Sequence, residues 1–313
     1  MSSKKQYLLI IILLNLNLNF FYSNFIVKSN EIHYSPRRIV AIGDLHGDYK
    51  QTIKVLQLAK ILDDNKTWSG SNGILVQTGD IVDRGPDCLK IYELFEQLRK
   101  EAEKVGGAVI SIFGNHELMN LQLDWRYVTP EDIKTFGSKS DRIAAFSSKG
   151  YIGKLFRSFY QVVAIVERDT LFVHGGVNLQ WANIGIEKIN KLGASLVEKC
   201  TDALSDKKQK VIATGEEINI VHRDGPLWNR KFAYNDDKAT EKELDKVLEV
   251  LKIKRMVVGH TPLSKKIKSR FHGKVYVIDV GLSEHYGSNL AALEIIGDEV
   301  REIYPEESER DEL

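Results

Sequence analysis

Five short motifs containing glycine occur along the chain, and each one directly follows an extended apolar run. They are Gly-Asp-Leu-His-Gly at 43–47, Gly-Asp-Ile-Val-Asp-Arg-Gly at 79–85, Gly-Asn-His-Glu at 114–117, His-Gly-Gly at 174–176 and Gly-His-Thr at 259–261. The glycines allow tight backbone turns, while Asp, Asn and His are hard or borderline ligands for divalent metals. The pattern therefore predicts strands whose ends deliver metal ligands to one point.

The apolar runs also predict the secondary structure between the motifs. Strands are predicted at 38–42, 73–78, 108–113, 161–166, 170–173, 255–258 and 274–278. The fourth and fifth of these predict a hairpin across Arg168 and Asp169. Helical spacing of apolar residues or paired charges is present at 49–62, 91–98, 184–199 and 241–251. We therefore predict an α/β fold, with a two-sheet β-sandwich core flanked by helices and the ligand loops at one edge.

The segment 124–157 lacks clean periodicity. Because it follows the third motif, it is placed to form a substrate-shaping cap near the site. The alternative is that it simply packs on the core, and the sequence leaves both open.

The composition is that of an ordinary globular chain. Its 313 residues, 43% hydrophobic and 28% charged, are enough for one large α/β domain, which we place at 35–305. A second domain is not required. The net charge of +1 gives no indication of a nucleic-acid partner, and we predict none.

The two ends of the sequence predict a route into the secretory pathway. Lys4 and Lys5 precede an apolar stretch at 7–21, which is typical of a secretory signal peptide, here assigned to 1–24. A membrane anchor is the alternative, although the stretch is shorter than the ~20 apolar residues that span a bilayer. The acidic tail at 306–313 ends in Arg-Asp-Glu-Leu, one residue different from the Lys-Asp-Glu-Leu signal. We therefore expect a protein of the endoplasmic reticulum lumen whose tail binds the retrieval receptor.

Cysteine and glycosylation signals are sparse. Cys88 and Cys200 are the two cysteines, so a disulfide framework is not expected even in an oxidising compartment. A buried free thiol at Cys88 fits the sequence as well as a bridge does. Asn65 begins an Asn-Lys-Thr sequon in a polar segment, which predicts a surface loop able to accept a glycan.

With these motifs the chain resembles the calcineurin-like metallophosphoesterases, and within them the phosphoprotein phosphatase family, over residues 38–294. Gly-Pro-Leu-Trp-Asn-Arg at 225–230 and Val-Gly-His-Thr-Pro at 258–262 are similar to the Shewanella-like branch rather than to the common eukaryotic Ser/Thr phosphatases. The Ser-Ala-Pro-Asn-Tyr-Cys segment of those enzymes is missing, and Ile-Asp-Val-Gly at 278–281 stands near its expected place. The resemblance implies phosphoprotein substrates, leaves Ser/Thr against Tyr preference open, and identifies no regulatory subunit.

The same resemblance implies a role for each site residue. His116 is implied as the general acid and Asp83 as the carboxylate that hydrogen-bonds its other ring nitrogen. Arg84 and, by a weaker match, Arg230 are implied as phosphate clamps. Asp279 either stands behind the ligands or caps a turn. The implied ligands of two divalent ions, of which Asp80 bridges both, are Asp44, His46, Asp80, Asn115, His174 and His260.

The expected reaction is hydrolysis of phosphomonoesters by direct attack of a hydroxide held by both metals, without a phosphoenzyme. Ligands without thiolate fit Mn²⁺, Fe or Zn²⁺, and we expect Mn²⁺. A nucleotide or dinucleoside polyphosphate hydrolase is the alternative enzyme, because related small phosphatases use the same metals. A catalytically dead scaffold would show the loss of a ligand or of the acid, and neither is lost.

Overall fold

A computed structural model describes residues 35–206 and 210–306, which form two β-sheets flanked by helices. The predicted signal peptide at 1–24 and the terminal Arg-Asp-Glu-Leu at 310–313 lie outside the described residues. Within the described ranges, none of the helices combines the length and the apolar character needed to cross a membrane.

Strands and helices alternate only as far as residue 121, and after that they occur in runs. The strands are β1 Ile39–Ile42, β2 Ile74–Gln77, β3 Ala108–Ile112, β4 Tyr160–Gln161, β5 Val163–Val166, β6 Thr170–Val173, β7 Arg255–Val258, β8 Lys268–Arg270, β9 Val275–Val277, β10 Ala292–Ile296 and β11 Glu299–Ile303. The helices are α1 Tyr49–Leu58, α2 Cys88–Lys104, α3 Asn115–Leu121, α4 Pro130–Thr135, α5 Lys139–Phe146, α6 Tyr151–Phe159, α7 Leu179–Ile184, α8 Ile186–Ser205, α9 Gly215–Ile220, α10 Lys231–Tyr234 and α11 Lys238–Leu251.

Strand order explains how the motifs meet. The first sheet runs β11-β10-β1-β2-β3-β4 and the second runs β5-β6-β7-β9-β8. In the first sheet β1, β2 and β3 are parallel, and in the second β6, β7 and β9 are parallel. The carboxyl ends of parallel neighbours meet at the same edge of a sheet, which is where open α/β folds place their ligands. The predicted two-sheet α/β core is confirmed, as is the hairpin formed by β5 and β6.

The two sheets pack against each other through branched aliphatic and aromatic side chains. Ile39 of β1 and Val76 of β2 share one buried cluster with Phe172 of β6 and Val257 of β7. Val40, which points to the opposite face of β1, belongs to the larger cluster that includes the helices. Burial on both faces explains why these strands are continuous apolar runs rather than alternating ones.

Two predicted segments are interrupted in the structure. The predicted strand 161–166 is divided at Val162, with its first residue in β4 of the first sheet and the remainder in β5 of the second. The side-chain oxygen of Asn190 accepts from the backbone N–H groups of Val162 and Val163 at 2.9 and 3.0 Å, and thereby satisfies the backbone where the chain changes sheets. The predicted helix 184–199 is interrupted at Gly185, whose φ of 88° is left-handed, and α8 then continues to Ser205.

The segment 124–157 combines the two alternatives that the sequence left open. Its helices α4, α5 and α6 are only six, eight and nine residues long, which explains the missing periodicity. Phe146 and Phe156 of these helices are buried in the larger core cluster. Tyr127, ahead of the helices, instead contacts the candidate site described below. The helices therefore pack on the core, while the loop before them shapes the site.

The cysteines and the sequon also have defined positions. Cys88 and Cys200 are both buried free thiols, so the two are not bridged. Asn65 lies exposed in a turn that the backbone hydrogen bond from Lys66 to Asp63 closes. The surface position predicted for the sequon is confirmed.

Candidate active site

The strand ends bring all six predicted ligands into one buried cluster. Two sheets contribute, because the first three motifs follow strands of the first sheet and the last two follow strands of the second. The ligands are Asp44 and His46 after β1, Asp80 after β2, Asn115 after β3, His174 after β6 and His260 after β7.

The loops that carry these side chains hold unusual backbone conformations. Left-handed φ values, rare outside glycine, occur at His46 (44°), Asp80 (57°), Asp83 (72°), Arg84 (71°) and His260 (65°). Each such conformation costs about 1–3 kcal/mol and persists only where the surroundings over-determine it. Their concentration in the motif loops marks this cluster as a functional site.

Asp80 lies at the centre of the cluster. Its Oδ2 atom is 3.2 Å from His174 Nε2, 3.8 Å from His116 Nε2 and 4.0 Å from His46 Nε2. Burial alone would raise the pKa of Asp80, but the surrounding histidines hold it well below its ordinary value. Two groups of potential ligands, one with His46 and His116 and one with His174 and His260, share this carboxylate. A shared carboxylate is what a bridging ligand requires.

Backbone carbonyls orient the imidazole rings. His46 Nδ1 lies 3.0 Å from the carbonyl oxygen of Val82, and His174 Nδ1 lies 2.8 Å from that of Thr78. A carbonyl only accepts, so each Nδ1 carries a proton and each Nε2 is the ring nitrogen that faces the site. Burial also lowers the pKa of His46 to about 4, which keeps that ring neutral at pH 7. Neutral imidazoles are the form that binds metals.

His260 gives the clearest sign that the site fits a cation. Its Nε2 atom is buried and has no hydrogen-bond partner among the residues described. Burial, His174 and Arg230 hold the pKa of His260 well below its usual value, so the ring is neutral, and with its proton on Nδ1 the Nε2 atom is an unpaired acceptor. Leaving such an acceptor unpaired costs about 1–3 kcal/mol. A metal ion bound by Nε2 would remove that cost.

The carboxylates of the site repel one another. Burial, together with the charges of Asp279 and Asp80, raises the pKa of Asp44 well above its ordinary value. The pKa of Asp279 is raised to about 6, chiefly by burial. Asp279 accepts a hydrogen bond from the Gly281 backbone, so it both caps a turn and stands beside Asp44. Divalent cations would relieve this repulsion, and the donor set of carboxylate, amide and imidazole suits them.

Two glycines make room for the carboxylates. A Cβ atom at Gly114 would lie 2.0 Å from Asp80 Oδ1, and one at Gly259 would lie 2.5 Å from Asp44 Oδ1. Both distances are far below van der Waals contact. Glycine at these positions of the third and fifth motifs is therefore required by close approach.

His116 differs from the other histidines because a carboxylate holds it. Its Nδ1 atom is 2.5 Å from Asp83 Oδ2. Burial lowers the pKa of His116, but Asp80 and Asp83 outweigh burial and raise it to about 9. The ring is therefore cationic at neutral pH, and a protonated imidazole donates a proton rather than binding a metal. The arrangement suits the predicted general acid.

The two predicted phosphate clamps have different surroundings. The Arg84 guanidinium lies 3.9 Å from the ring centre of Tyr127 and 5.9 Å from that of Tyr286. Its Nε atom is buried and has no hydrogen-bond partner in the described part of the chain. Arg230 instead donates to the carbonyl oxygen of His260 at 2.7 Å and to the Thr261 hydroxyl at 3.2 Å. Arg84 is available for a phosphate, whereas Arg230 supports the loop of the fifth motif.

Four residues of the site had no assigned role in the sequence. Tyr127 and Tyr286 lie outside the five motifs, and no local sequence pattern identifies them as site residues. Glu117 ends the third motif, and its buried carboxylate accepts from the backbone N–H groups of Asp80 and Ile81 at 2.9 and 2.8 Å. Asn120, one turn later, is described below. Glu117 could have been found from its place in the third motif.

The fold and this ligand set define a metallophosphoesterase. The sequence profile of calcineurin-like phosphoesterases matches residues 37–264. Shewanella-like protein phosphatase 2 of Arabidopsis thaliana is 32% identical over 298 residues, covering 80% of this chain and 72% of that protein. An uncharacterized protein of Schizosaccharomyces pombe is 37% identical over 268 residues, covering 83% of this chain and 77% of that protein.

A solved structure agrees with these sequence relatives. The cold-active protein-tyrosine phosphatase of a psychrophilic Shewanella species superposes with a TM-score of 0.73 at 27% identity, covering 85% of this chain and 77% of that one. The chain therefore belongs to the calcineurin-like phosphoesterase family and groups within it with the Shewanella-like protein phosphatases.

Proposed function

We propose that this protein is a metal-dependent phosphatase that hydrolyses phosphomonoesters on proteins. The observation that carries the proposal is the Asp80 carboxylate, which lies within ligand distance of His46 and of the pair His174 and His260, with His116, held by Asp83, beside it. Similar chains that bear the name protein phosphatase support the same reaction class.

The metal ligands suit two divalent ions, for which we propose Mn²⁺. One ion would take Asp44 and His46, the other Asn115, His174 and His260, and Asp80 would serve both. When bound, the ions supply positive charge to the phosphoryl oxygens and lower the pKa of a coordinated water.

The remaining residues bind the ester and move a proton. Arg84 forms two hydrogen bonds to phosphate oxygens, because a guanidinium matches two oxygens at once. His116 gives its Nε2 proton to the leaving oxygen, while Asp83 holds Nδ1 and keeps the ring oriented. With that proton the leaving group departs as a neutral hydroxyl compound rather than as an oxyanion.

We also propose that phosphotyrosine is a substrate beside phosphoserine and phosphothreonine. The rings of Tyr127 and Tyr286 both lie beside Arg84, so an aromatic leaving group would meet aromatic surface at the phosphate position. A cleft of about 590 Å³ has His46 and Arg84 in its lining and borders the site, which offers room for a bulky substrate side chain. The similar Shewanella protein is described as a protein-tyrosine phosphatase.

The test is turnover of phosphoserine, phosphothreonine and phosphotyrosine peptides and of nucleotides, with and without Mn²⁺. Metal-dependent release of phosphate from peptides, lost in Asp80→Asn, is the expected result. Turnover confined to nucleotides or dinucleoside polyphosphates would replace the proposal with the alternative enzyme. No turnover with Mn²⁺, Fe²⁺ or Zn²⁺ would support a scaffold instead.

We propose that the protein resides in the endoplasmic reticulum lumen and binds the retrieval receptor there. The proposal rests on the sequence signals at 1–24 and 310–313. The exposed sequon at Asn65 supplies a reporter, since a glycan there would be added only in that compartment. A mobility shift on glycosidase treatment that Asn65→Gln abolishes is expected, together with secretion after deletion of 310–313. An intact chain that carries no glycan and stays in the cytosol would reject the proposal.

A further inference from the structure

A chain of buried polar side chains extends from His116 away from the site and into the interior. Asp83 accepts from Asn120 Nδ2 through its Oδ1 atom at 3.0 Å, while its Oδ2 atom holds His116. The Asn120 oxygen accepts from Arg142 at 2.8 Å, and Arg142 Nε donates to Asp132 at 2.8 Å. All five side chains are buried.

Arg142 is the unexpected member of this chain. Its side chain is 1% exposed, and its guanidinium carbon lies 4.8 Å from the ring centre of Phe146 and 5.0 Å from that of Trp125. Removing a guanidinium from water costs several kcal/mol, which one ion pair with Asp132 repays only in part. Its NH2 atom also has no hydrogen-bond partner within the described ranges. A purely structural position would be filled at lower cost by an apolar side chain.

Arg142 holds the oxygen end of the Asn120 amide. An amide has an acceptor on one side and donors on the other. The guanidinium only donates and so takes the Asn120 oxygen, while Asp83 and the carbonyl oxygen of His116 only accept and take the NH₂ group. Without Arg142 the amide is held at its NH₂ end alone, so the position of its hydrogen bond to Asp83 is less well fixed.

We infer that Asn120 and Arg142 are positioning residues that act in series to orient Asp83 and, through it, the proton-donating ring of His116. The inference rests on the proposed function, because it names the residues that aim the acid of that reaction. Among the described residues Arg142 makes no hydrogen bond to Asp83 or to a predicted metal ligand, and Asn120 is the side chain that links it to Asp83.

The test compares two esters with the same aromatic ring and different leaving groups. 4-Nitrophenyl phosphate releases an acidic phenol that needs little protonation, whereas phenyl phosphate releases a basic one that needs the general acid. In Mn²⁺-loaded Asn120→Leu, which keeps the side-chain shape, kcat for phenyl phosphate should fall about tenfold to a hundredfold, part of the ~10²–10⁴ that a general acid contributes. The kcat for 4-nitrophenyl phosphate should change by less than about threefold. His116→Asn removes the general acid, so its kcat for phenyl phosphate shows the largest loss that the network variants can produce.

Arg142→Met tests the series arrangement. It should reproduce the selective loss seen in Asn120→Leu, and the double variant should be no worse than either single one, which is the non-additivity of residues in one network. Ile152→Ala, a buried apolar change in α6, is the control for lost stability. If Arg142→Met fails to fold, Asn120→Leu still tests whether the network orients His116, because that variant leaves the ion pair between Arg142 and Asp132 in place.

A readout without substrate separates this inference from the proposed function. In the metal-free protein the His116 Nδ1 proton, assigned by its absence in His116→Asn, should be protected from exchange in the wild type and in Ile152→Ala. It should lose that protection in Asn120→Leu. Folded Asn120→Leu with wild-type leaving-group dependence and a protected proton would overturn the inference. If the wild type hydrolyses neither ester, the proposed function fails, and the proton measurement still decides the inference.

Discussion

The carboxylate of Glu117 accepts a hydrogen bond from the backbone N–H of Asp80 at 2.9 Å, and this contact joins the second motif to the third. The same carboxylate accepts from the N–H groups of Gly114 and Ile81 at 2.7 and 2.8 Å. All of these groups donate, so both Glu117 oxygens must be acceptors. The left-handed conformation of Asp80 is therefore held by a buried anion rather than by the loop itself.

We predict that Glu117→Gln loosens the site without removing a metal ligand. The substitution places an amide NH₂ group against backbone donors, so the free energy of unfolding should fall by about 2–3 kcal/mol. Metal affinity should fall about 10–100-fold, as is typical for residues that orient ligands. Urea unfolding and metal content after gel filtration measure the two effects. Glu103→Gln, on the exposed face of α2, is the matched control; an equal response of both variants would contradict the prediction.

Asp80→Asn should remove both ions rather than one. The carboxylate Oδ2 is the atom that faces three imidazole Nε2 nitrogens, and an amide in its place cannot serve two cations. The loss of activity should exceed the ~10–100-fold typical of residues behind the ligands. Metal analysis beside an exposed control, Asp64→Asn, checks this. Retention of one full equivalent of metal would show that Asp80 does not bridge.

Arg84→Lys should weaken substrate binding more than it slows turnover. Lysine keeps the charge but loses the planar fork that matches two phosphate oxygens and the stacking on Tyr127. We expect KM to rise about tenfold, the 1.4 kcal/mol equivalent of one hydrogen bond to a charged group. Inhibition by inorganic phosphate should weaken equally. Arg126→Lys, an exposed change nearby, should leave both unchanged; equal effects from the two variants would argue against an Arg84 clamp.

The sequence predicted those site residues that directly follow a strand. Asp44, Asp80 and His260 were identified because each follows its strand within three residues, so local sequence carries the position. Asn120 and Arg142 are separated by 22 positions, and Arg142 lies on a helix too short to show periodicity. The chain passes from the first sheet to the second at Val162. The backbone there is held by Asn190, which is 28 positions away in the sequence. Contacts of this kind follow from packing, and no local propensity encodes them.

The Asp279 carboxyl should make the metal-free protein less stable as pH rises. Burial, with a contribution from Asp80, raises the pKa of Asp279 to about 6, and the pKa of Asp44 is raised as well. A carboxyl group whose pKa is higher in the folded state binds protons more readily there, so its contribution to the free energy of unfolding falls as pH rises through the window from about 4 to about 6. His46 and His260, whose pKa values are lowered, contribute with the opposite sign in the same window, so the Asp279 contribution is measured as a difference between the wild type and a variant.

Bound cations compensate the same charges, because they bind the folded state alone and add stability as the carboxylates ionise. Unfolding by urea from pH 4 to pH 7, with chelator and with Mn²⁺, measures both curves. In the chelated protein the wild type should lose stability relative to Asp279→Asn as pH rises, because the variant lacks one of the titrating groups at nearly constant shape. Parallel curves for the wild type and Asp279→Asn would mean that Asp279 does not titrate in this window.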